Sequence, residues 1–290
     1  MAKSLRIRQL GFNMQANIQR AVALSGSAAA TALLLLGIGS VATAAAQPDR
    51  VEARFEVYGF GGLHVLTNRT TVARSRDGYM IATDLDTRGL ASFFVDLKSH
   101  SQVSGRPESQ APHPESYRAD VRRNGAERHY GVDFRRDGAV INASAPLSTE
   151  GALPDRRGEM RGAVDQLSAY FLLENQLTVH GTCALVVPVF DGSALYNLRS
   201  TDVRRESLSA DDHQNFTGLS QLCEVKREDL AANPDHNEGT YQKGKIWYAR
   251  LTPAGQMMPV RMEYTTAFGV VRAYLAELRA DGVDLRLTKE

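Results

Sequence analysis

The stretch YRADVRRNGAERHYGVDFRRDG, residues 117–138, decides the fold class of this chain. Apolar and polar side chains alternate in 117–123 and again in 129–136, which is typical of half-buried β-strands. Asn124-Gly125 between them is a strong signal for a two-residue type I′ hairpin. Asp137-Gly138 then turns the chain again, toward AVINA. The stretch therefore predicts an antiparallel meander of three strands.

Similar strands extend outward from this meander in both directions. HVLTNRTTVARS and YMIATDL precede it, joined by a turn at RDGY (76–79). CALVVPVF (183–190) follows, with Pro188 indicating a bulge or an edge position. The segment 270–282 fits a strand or a helix, and we expect a strand. The whole pattern predicts a mainly β fold, with a single curved antiparallel sheet resembling a half-barrel. Its polar loops are expected at 104–116, 148–159 and 229–244.

One segment, VDQLSAYFLLENQL (164–177), departs from the β pattern. Val164, Leu167, Tyr170, Phe171 and Leu177 recur there at helical spacing. Asp165 is placed to cap the first turn, because its carboxylate can accept hydrogen bonds from free backbone N–H groups. We expect one amphipathic helix, packed on the concave face of the sheet. There Phe171, Leu172 and Leu173 would either line a cavity or fill it.

Glycines cluster in FEVYGFGGLHVL (55–66), at Gly59, Gly61 and Gly62. A phosphate-binding glycine loop lies between a strand and a helix. Here the next segment alternates as a strand, and the spacing G-x-G-G differs from that of the dinucleotide motif. The cluster is interpreted as a bend between two strands.

The first 46 residues read as a secretory signal peptide. Lys3, Arg6 and Arg8 precede an apolar run that is densest at 31–39, and ATAAAQ offers small residues for cleavage after Ala46. The alternative is a retained transmembrane anchor, but serines and glycines interrupt the apolar run. We expect an exported periplasmic protein in which 47–290 form a single β-rich domain.

The charge of that domain differs from the charge of the whole chain. Four of the 34 basic residues and none of the 33 acidic residues lie in 1–46, which leaves a net charge of −3. This balance argues against a nucleic-acid partner, since phosphate binding requires a basic face. Paired arginines, such as Arg122-Arg123 and Arg204-Arg205, are interpreted as solvated surface, and an anion-facing rim is the alternative.

The two cysteines, Cys183 and Cys223, are predicted to form a structural disulfide. An even count in an oxidising compartment favours a disulfide over a metal site, and the cysteines lack CxxC spacing. Closing a loop of this length stabilises the fold by about 4 kcal/mol in the chain-entropy treatment.

No motif in the chain predicts catalytic, cofactor-binding or metal-binding residues. The seven histidines form neither H-x-x-x-H nor H-E-x-x-H. Asp211-Asp212-His213 and Asp235-His236 could supply ligands, but we interpret them as structural. Trp247 and Tyr248 could form an aromatic platform, although packing is the simpler interpretation. No feature of the sequence indicates an oligomeric state.

Four segments resemble a family of exported Gram-negative proteins catalogued as domain of unknown function 3108. They are GTCALVVPVFDGSALYNL (181–198), IWYARL (246–251), PVRMEYTTAFGVVRAYL (259–275) and DQLSAYFLL (165–173). The resemblance spans roughly residues 50 to 280. It implies a periplasmic antiparallel β fold with paired cysteines, and it implies no activity.

Three classes of function fit these observations. The first is a non-catalytic binding or carrier module for a lipid or a lipidated partner, held on an apolar concave face. The second is a structural or interaction protein that supports the cell envelope and has no ligand. The third, a hydrolase, has the least support. A hollow concave face would favour the first class, and a cleft joining His with Asp or Ser would favour the third.

Overall fold

A computed structural model describes residues 49–59, 61–89, 92, 96–107, 112–135, 140–144, 160–192, 194–230, 243–266 and 269–288. The signal-peptide prediction and its cleavage after Ala46 lie outside these residues. The predicted loop at 148–159 and most of the one at 229–244 also lie outside them. Within the described part of the chain, no helix has the length and apolar character needed to cross a membrane.

The described residues form one antiparallel sheet of fourteen strands and a single helix. In chain order the elements are β1 (Asp49–Gly59), β2 (Leu63–Arg74), β3 (Tyr79–Thr87), β4 (Leu97–Pro107), β5 (Pro112–Arg123), β6 (Ala126–Phe134), β7 (Val140–Ser144), α1 (Gln166–His180), β8 (Leu185–Phe190), β9 (Leu195–Leu208), β10 (Gly218–Asp229), β11 (Lys243–Arg250), β12 (Met257–Thr266), β13 (Gly269–Ala280) and β14 (Val283–Arg286). The mainly β prediction is confirmed.

The strand order is that of two meanders joined through β1. It runs β7-β6-β5-β4-β3-β2-β1-β13-β12-β11-β10-β9-β8, and β14 pairs with β13 beside this path. The first strand therefore lies between β2 and β13, so the last long strand pairs with the first. The curved sheet is not closed by hydrogen bonds among the described residues. The turn after β8 instead packs on β6, where a Cβ at Gly192 would lie 3.4 Å from Tyr130 and Val132.

Two of the turn signals of the sequence are confirmed by the backbone, whereas Asp137-Gly138 lies outside the described residues. Asn124 and Gly125 have φ of 50° and 81°, as a type I′ turn requires. Gly61 and Gly62 also have positive φ and turn β1 into β2, with a register shift at Val57/Tyr58. The glycine cluster is therefore the predicted bend. Most of segment 270–282 is a strand, which ends at Ala280, and Pro188 lies on the edge strand β8.

The loop predicted at 104–116 is wrong over most of its length. Strand β4 continues to Pro107 and β5 starts at Pro112, where the two prolines are register partners. Proline is accepted at these positions because the end of a strand does not require every N–H donor. A register shift at Ser104/Gly105 accommodates the irregular end of the ladder.

Helix α1 begins two residues later than the apolar pattern predicts and ends three residues later. Asp165 caps it, with Oδ1 accepting hydrogen bonds from the backbone N–H groups of Leu167 (2.9 Å) and Ser168 (3.0 Å). Gly181, at φ 69°, ends the helix in the left-handed conformation. Val164 lies outside the helix and forms a parallel bridge with Val189 of β8. The helix packs against β4, β5, β8 and β12.

Three apolar clusters form the core. The first joins α1 to β8–β11 and includes Leu173, Leu177 and both cysteines. The second lies around β1, β11, β12 and β13, and the third joins the start of α1 to β3–β6. These clusters surround, rather than fill, the space enclosed by the sheet.

Candidate functional site

A cavity of about 730 Å³ lies between the inner face of the sheet and helix α1. Its wall contains residues of β1–β6, of β9–β13 and of the helix. Strand alternation explains this, because every second side chain of each strand points inward. Val51, Ala53, Phe55 and Val57 of β1 all line the cavity. The concave face is therefore hollow, which answers the question raised by the sequence.

The wall is predominantly apolar. Aliphatic and aromatic side chains come from opposite parts of the sheet, for example Ile81, Val121, Ile246, Met258, Met262 and Val271. The helix adds Leu167, Tyr170 and Phe171. Such a wall favours the acyl or other apolar part of a ligand, because binding removes apolar surface from water on both sides.

A few polar groups interrupt the wall, and those on β2 and β3 bind one another. Asn68 Oδ1 accepts hydrogen bonds from Thr83 Oγ1 (2.8 Å) and Thr70 Oγ1 (3.2 Å). Tyr117 is hydrogen-bonded to Ser101, and burial raises the pKa of its hydroxyl group. These hydroxyl groups are neutral at physiological pH.

Two of the charged residues of the wall lie on different elements, one on a strand and one on the helix. Arg227 of β10 donates from Nε to Asp229 Oδ1 at 2.6 Å, and its guanidinium group lies 3.9 Å from the centre of the Tyr196 ring. Glu174 of α1 faces the cavity, and burial raises the pKa of its carboxyl group to about 7, with Arg74 acting in the opposite direction. A third charged residue, Asp191, accepts a hydrogen bond from the Ala194 N–H.

Of the three helix residues predicted for the concave face, one lines the cavity and two pack in the core. Phe171 lines the cavity, and Arg74 lies 4.7 Å above its ring. Leu173 is fully buried in the cluster that contains the disulfide, and Leu172 packs against the same cluster. Leu172 and Leu173 therefore belong to the core. The sequence did not single out Glu174 or Arg227, and no motif marks either residue.

The predicted disulfide is present between Cys183 and Cys223, whose Cα atoms are 5.8 Å apart. Both cysteines are completely buried. The bridge connects Cys183, two residues before the edge strand β8, to Cys223 of β10, across β9. The Cys183 N–H also donates to Asp202 Oδ1 at 2.9 Å. The disulfide therefore holds the edge of the sheet and takes no part in the cavity wall.

The outer face of the sheet brings together histidines that are distant in sequence. His64 Nε2 and Thr67 Oγ1 each lie 2.6 Å from Glu56 Oε2, and Arg54 also binds this carboxylate. Thr67 is only 4% exposed and donates its hydroxyl to Glu56, so it is not placed as a nucleophile. Burial lowers the pKa of His64, which favours its neutral form. The His213 ring stacks on Tyr58 at 4.0 Å.

Other candidate ligands of the sequence are already engaged in structural contacts. Asp211 Oδ1 accepts from the backbone N–H groups of His213 and Gln214, and Oδ2 binds Arg261 at 2.8 Å. Asp235 and His236 lie outside the described residues. Among the residues that the structure describes, no group of three or more His, Cys, Asp or Glu has a metal-binding arrangement.

The aromatic platform considered for Trp247 and Tyr248 is not formed. Trp247 donates from its indole N–H to Glu206, whereas Tyr248 lines the cavity. Adjacent residues of a strand point to opposite faces, so the two rings cannot share one surface.

Comparisons with known proteins identify relatives without a known activity. A family model described as a protein of unknown function (DUF3108) matches residues 54–276, which confirms the resemblance found in the sequence. No curated protein matches the chain. One similar solved structure is a crystal structure of a beta-barrel-like protein of the domain of unknown function DUF1849 from Brucella abortus. It is 11% identical, with a TM-score of 0.45, over 80% of this chain and 98% of that chain.

Proposed function

The chain belongs to the DUF3108 family of proteins of unknown function, and we propose that it is a non-catalytic binding or carrier module for a lipid or a lipidated partner. The partner places an apolar chain in the cavity between the sheet and α1. We further propose that the protein acts in the periplasm after export, as part of the cell envelope. In this proposal it contacts the membrane only during export and binds no nucleic acid.

The single observation that carries the proposal is the hollow concave face. Its volume, about 730 Å³, falls within the range of roughly 300–1,000 Å³ that small-molecule sites occupy. The cavity is partly open to solvent, so in the free protein water covers its apolar wall, and a ligand that displaces this water gains the free energy of apolar burial. A mainly apolar wall with few polar groups is the expected composition of such a site.

The alternative of a structural protein without a ligand is supported less well by this geometry. A protein selected only for envelope integrity gains stability by covering apolar surface, and a partly open apolar cavity leaves such surface in contact with water. Phe171 and Tyr170 of the helix instead border the space that larger side chains could fill.

A hydrolase is also supported less well, because polar groups are arranged as structural networks. The Glu56, His64 and Thr67 group lies on the outer face, where its hydroxyl is buried and already donating to the carboxylate. A general base needs a proton to abstract from a reachable nucleophile. The disulfide supports the proposed location, since disulfides persist in oxidising compartments.

The test is to fill the cavity from a small wall residue. Ala273→Phe places a ring into the space beside Met262, and Ala273→Ser is the matched control that preserves volume. The assay uses a neutral fluorophore, N-phenyl-1-naphthylamine, which is bound first and then displaced by a single-chain lipid. We expect this displacement in the wild type and in the serine variant. In the phenylalanine variant we expect the affinity for the lipid to fall by about tenfold or more, because the added ring occupies the binding volume.

Thermal unfolding of the same variants separates binding from folding. The added ring faces open space, so it should not overpack the core or lower the melting temperature. If the wild type binds neither fluorophore nor lipid and Ala273→Phe only raises the melting temperature, the cavity is a packing defect and the carrier function is wrong.

A further inference from the structure

The charged groups around the cavity suggest which head group its ligand carries. Glu174 lies on α1 one turn after Tyr170 and Phe171, and all three residues line the cavity. Residues three and four positions apart share one face of a helix. The Glu174 carboxyl group therefore stands among aromatic rings and faces the partly open cavity.

The protein supplies this carboxyl group with little compensation. Within the described residues, no side chain donates a hydrogen bond to it and no cation lies within ion-pair distance. Arg74, the cation that acts on it, instead pairs with Asp49 at 3.6 Å and lies over the Phe171 ring. A buried carboxylate without a partner is unfavourable in its charged form. This is why burial raises the pKa of Glu174 to about 7.

The other charged groups of the wall are engaged by the protein itself. Glu174 comes from α1, Asp191 follows β8, and Arg227 comes from β10. Arg227 is the cation of this set, and its Nε already donates to Asp229. The remaining titratable groups of the wall are tyrosines, and burial raises the pKa of Tyr117 and Tyr196, so both are neutral. The carboxylate of Glu174 is therefore the feature of this wall that favours a cationic group over an anionic one.

We propose that the ligand of this cavity is an amphiphile with a cationic amine head group, which is bound by the carboxylate of Glu174. The inference rests on the proposed function and adds the charge of the ligand to it. An ammonium group supplies the hydrogen-bond donors that the carboxylate lacks, and charge-assisted hydrogen bonds are about twice as strong as neutral ones. The apolar wall then receives the chain. Deprotonation of Glu174 is coupled to amine binding.

The test compares three twelve-carbon probes that differ only in the head group: dodecylamine, dodecanol and dodecanoic acid. Isothermal titration calorimetry of the full domain at pH 8 should give an affinity for the amine about tenfold higher than for the alcohol. Glu174→Gln should remove this preference, so that the amine and the alcohol bind with similar affinity. Glu277→Gln, on the outer face beside Arg54, is the matched control and should retain the preference.

A pH series on the wild-type protein tests the same claim without a variant. An alkylamine stays protonated between pH 5.5 and 8, since amines of this kind have a pKa of about 10. Glu174, with its pKa of about 7, takes up a proton over that range. The affinity for the amine should fall about tenfold from pH 8 to pH 5.5, whereas the affinity for the alcohol should stay constant.

The outcomes separate this inference from the function on which it rests. Equal binding of all three probes, or preference for the acid, would overturn the inference and leave the carrier function intact. If no probe binds, the carrier function itself fails. A further arm with lysophosphatidylethanolamine distinguishes two sources of the amine. Binding as tight as that of dodecylamine indicates a phospholipid head group, and binding of dodecylamine alone indicates a simple amine.

Discussion

Glu174 is a residue whose role follows from its surroundings rather than from a motif. In the sequence it stands in AYFLLENQL, where apolar residues occupy five consecutive positions before it. Such a run covers more than one face of a helix, so periodicity could not indicate which face borders open space. The rotation of α1 about its axis is set by packing of Leu173 and Leu177 into the core. That packing turns Glu174 toward the cavity.

Replacing Glu174 by Gln should stabilise the protein at alkaline pH. Burial raises the pKa of the carboxyl group from 4.5 to about 7 in the folded state, so the folded protein binds this proton more tightly than the unfolded chain. Stability contributed by this group therefore falls as pH rises from about 4.5 to 7, by at most about 3 kcal/mol. We expect Glu174→Gln to melt several degrees higher than the wild type at pH 8 and equally at pH 4.

Differential scanning calorimetry of both proteins across this pH range provides the measurement. A difference in melting temperature that is the same at both pH values would show that the carboxyl group is not desolvated in the folded state.

Asp165 is a residue whose role was visible in the sequence, because a helix cap is a local signal. Its Oδ1 binds two backbone N–H groups that the first turn leaves free. Asp165→Ala should lower the free energy of unfolding by about 1–2 kcal/mol. Asp165→Asn should lower it much less, because asparagine also caps a helix well. Urea titration of the two variants measures this, and equal losses in both would show that negative charge, not the cap, stabilises the helix.

At the scale of elements, hairpins and strands could be predicted wherever turn chemistry and alternation agree. Asn124-Gly125 fixes both the position and the type of its turn, and the strand in 270–282 follows from its pairing with β1. The loop predicted at 104–116 failed because Pro and Ser were taken to exclude a strand. Ladder pairing with β3 and β5 overrides these local preferences, as tertiary context commonly does.

The disulfide acts on the edge of the sheet, where β8 has β9 as its ladder partner. Replacing both cysteines by alanine should lower the free energy of unfolding by up to about 4 kcal/mol, since a loop spanning 40 residues is no longer closed. The corresponding loss is several degrees in melting temperature. Probe binding at 20 °C should be unchanged, because neither cysteine lines the cavity.

Calorimetry of the wild type with and without reductant checks this, because reductant should lower its melting temperature. The double variant is the control, since it has no disulfide for the reductant to break. Free thiols in the native protein purified from the periplasm, or an unchanged melting temperature in the variant, would show that the bridge does not form or does not stabilise the fold.

At the scale of the whole domain, the cavity could not be predicted, although the fold class could. Alternation assigns each strand one inward face, but the enclosed volume depends on the curvature of the sheet and the position of the helix. Both are set by contacts distant in sequence. Strand β1 pairs with β13, and the turn after β8 packs on β6. The sequence could therefore pose the question of a hollow or filled concave face, and only the three-dimensional arrangement answers it.

The same contacts explain how a large cavity is compatible with a stable fold. Three separate apolar clusters hold the wall, and the disulfide supports one of them. Each cluster lies where neighbouring strands or the helix pack closely, so the hollow space between them does not have to be filled for the sheet to keep its curvature.

Native mass spectrometry tests the central claim, that this cavity holds a ligand, most directly. The protein would be expressed from the full-length sequence, purified gently from a bacterial periplasm and analysed with lipid extraction of the same sample. We predict one bound amphiphile per chain, which is released on unfolding and is lost in Ala273→Phe but not in Ala273→Ser. A mass of the protein alone, under conditions that preserve the ligand of an established lipid carrier, would contradict the account.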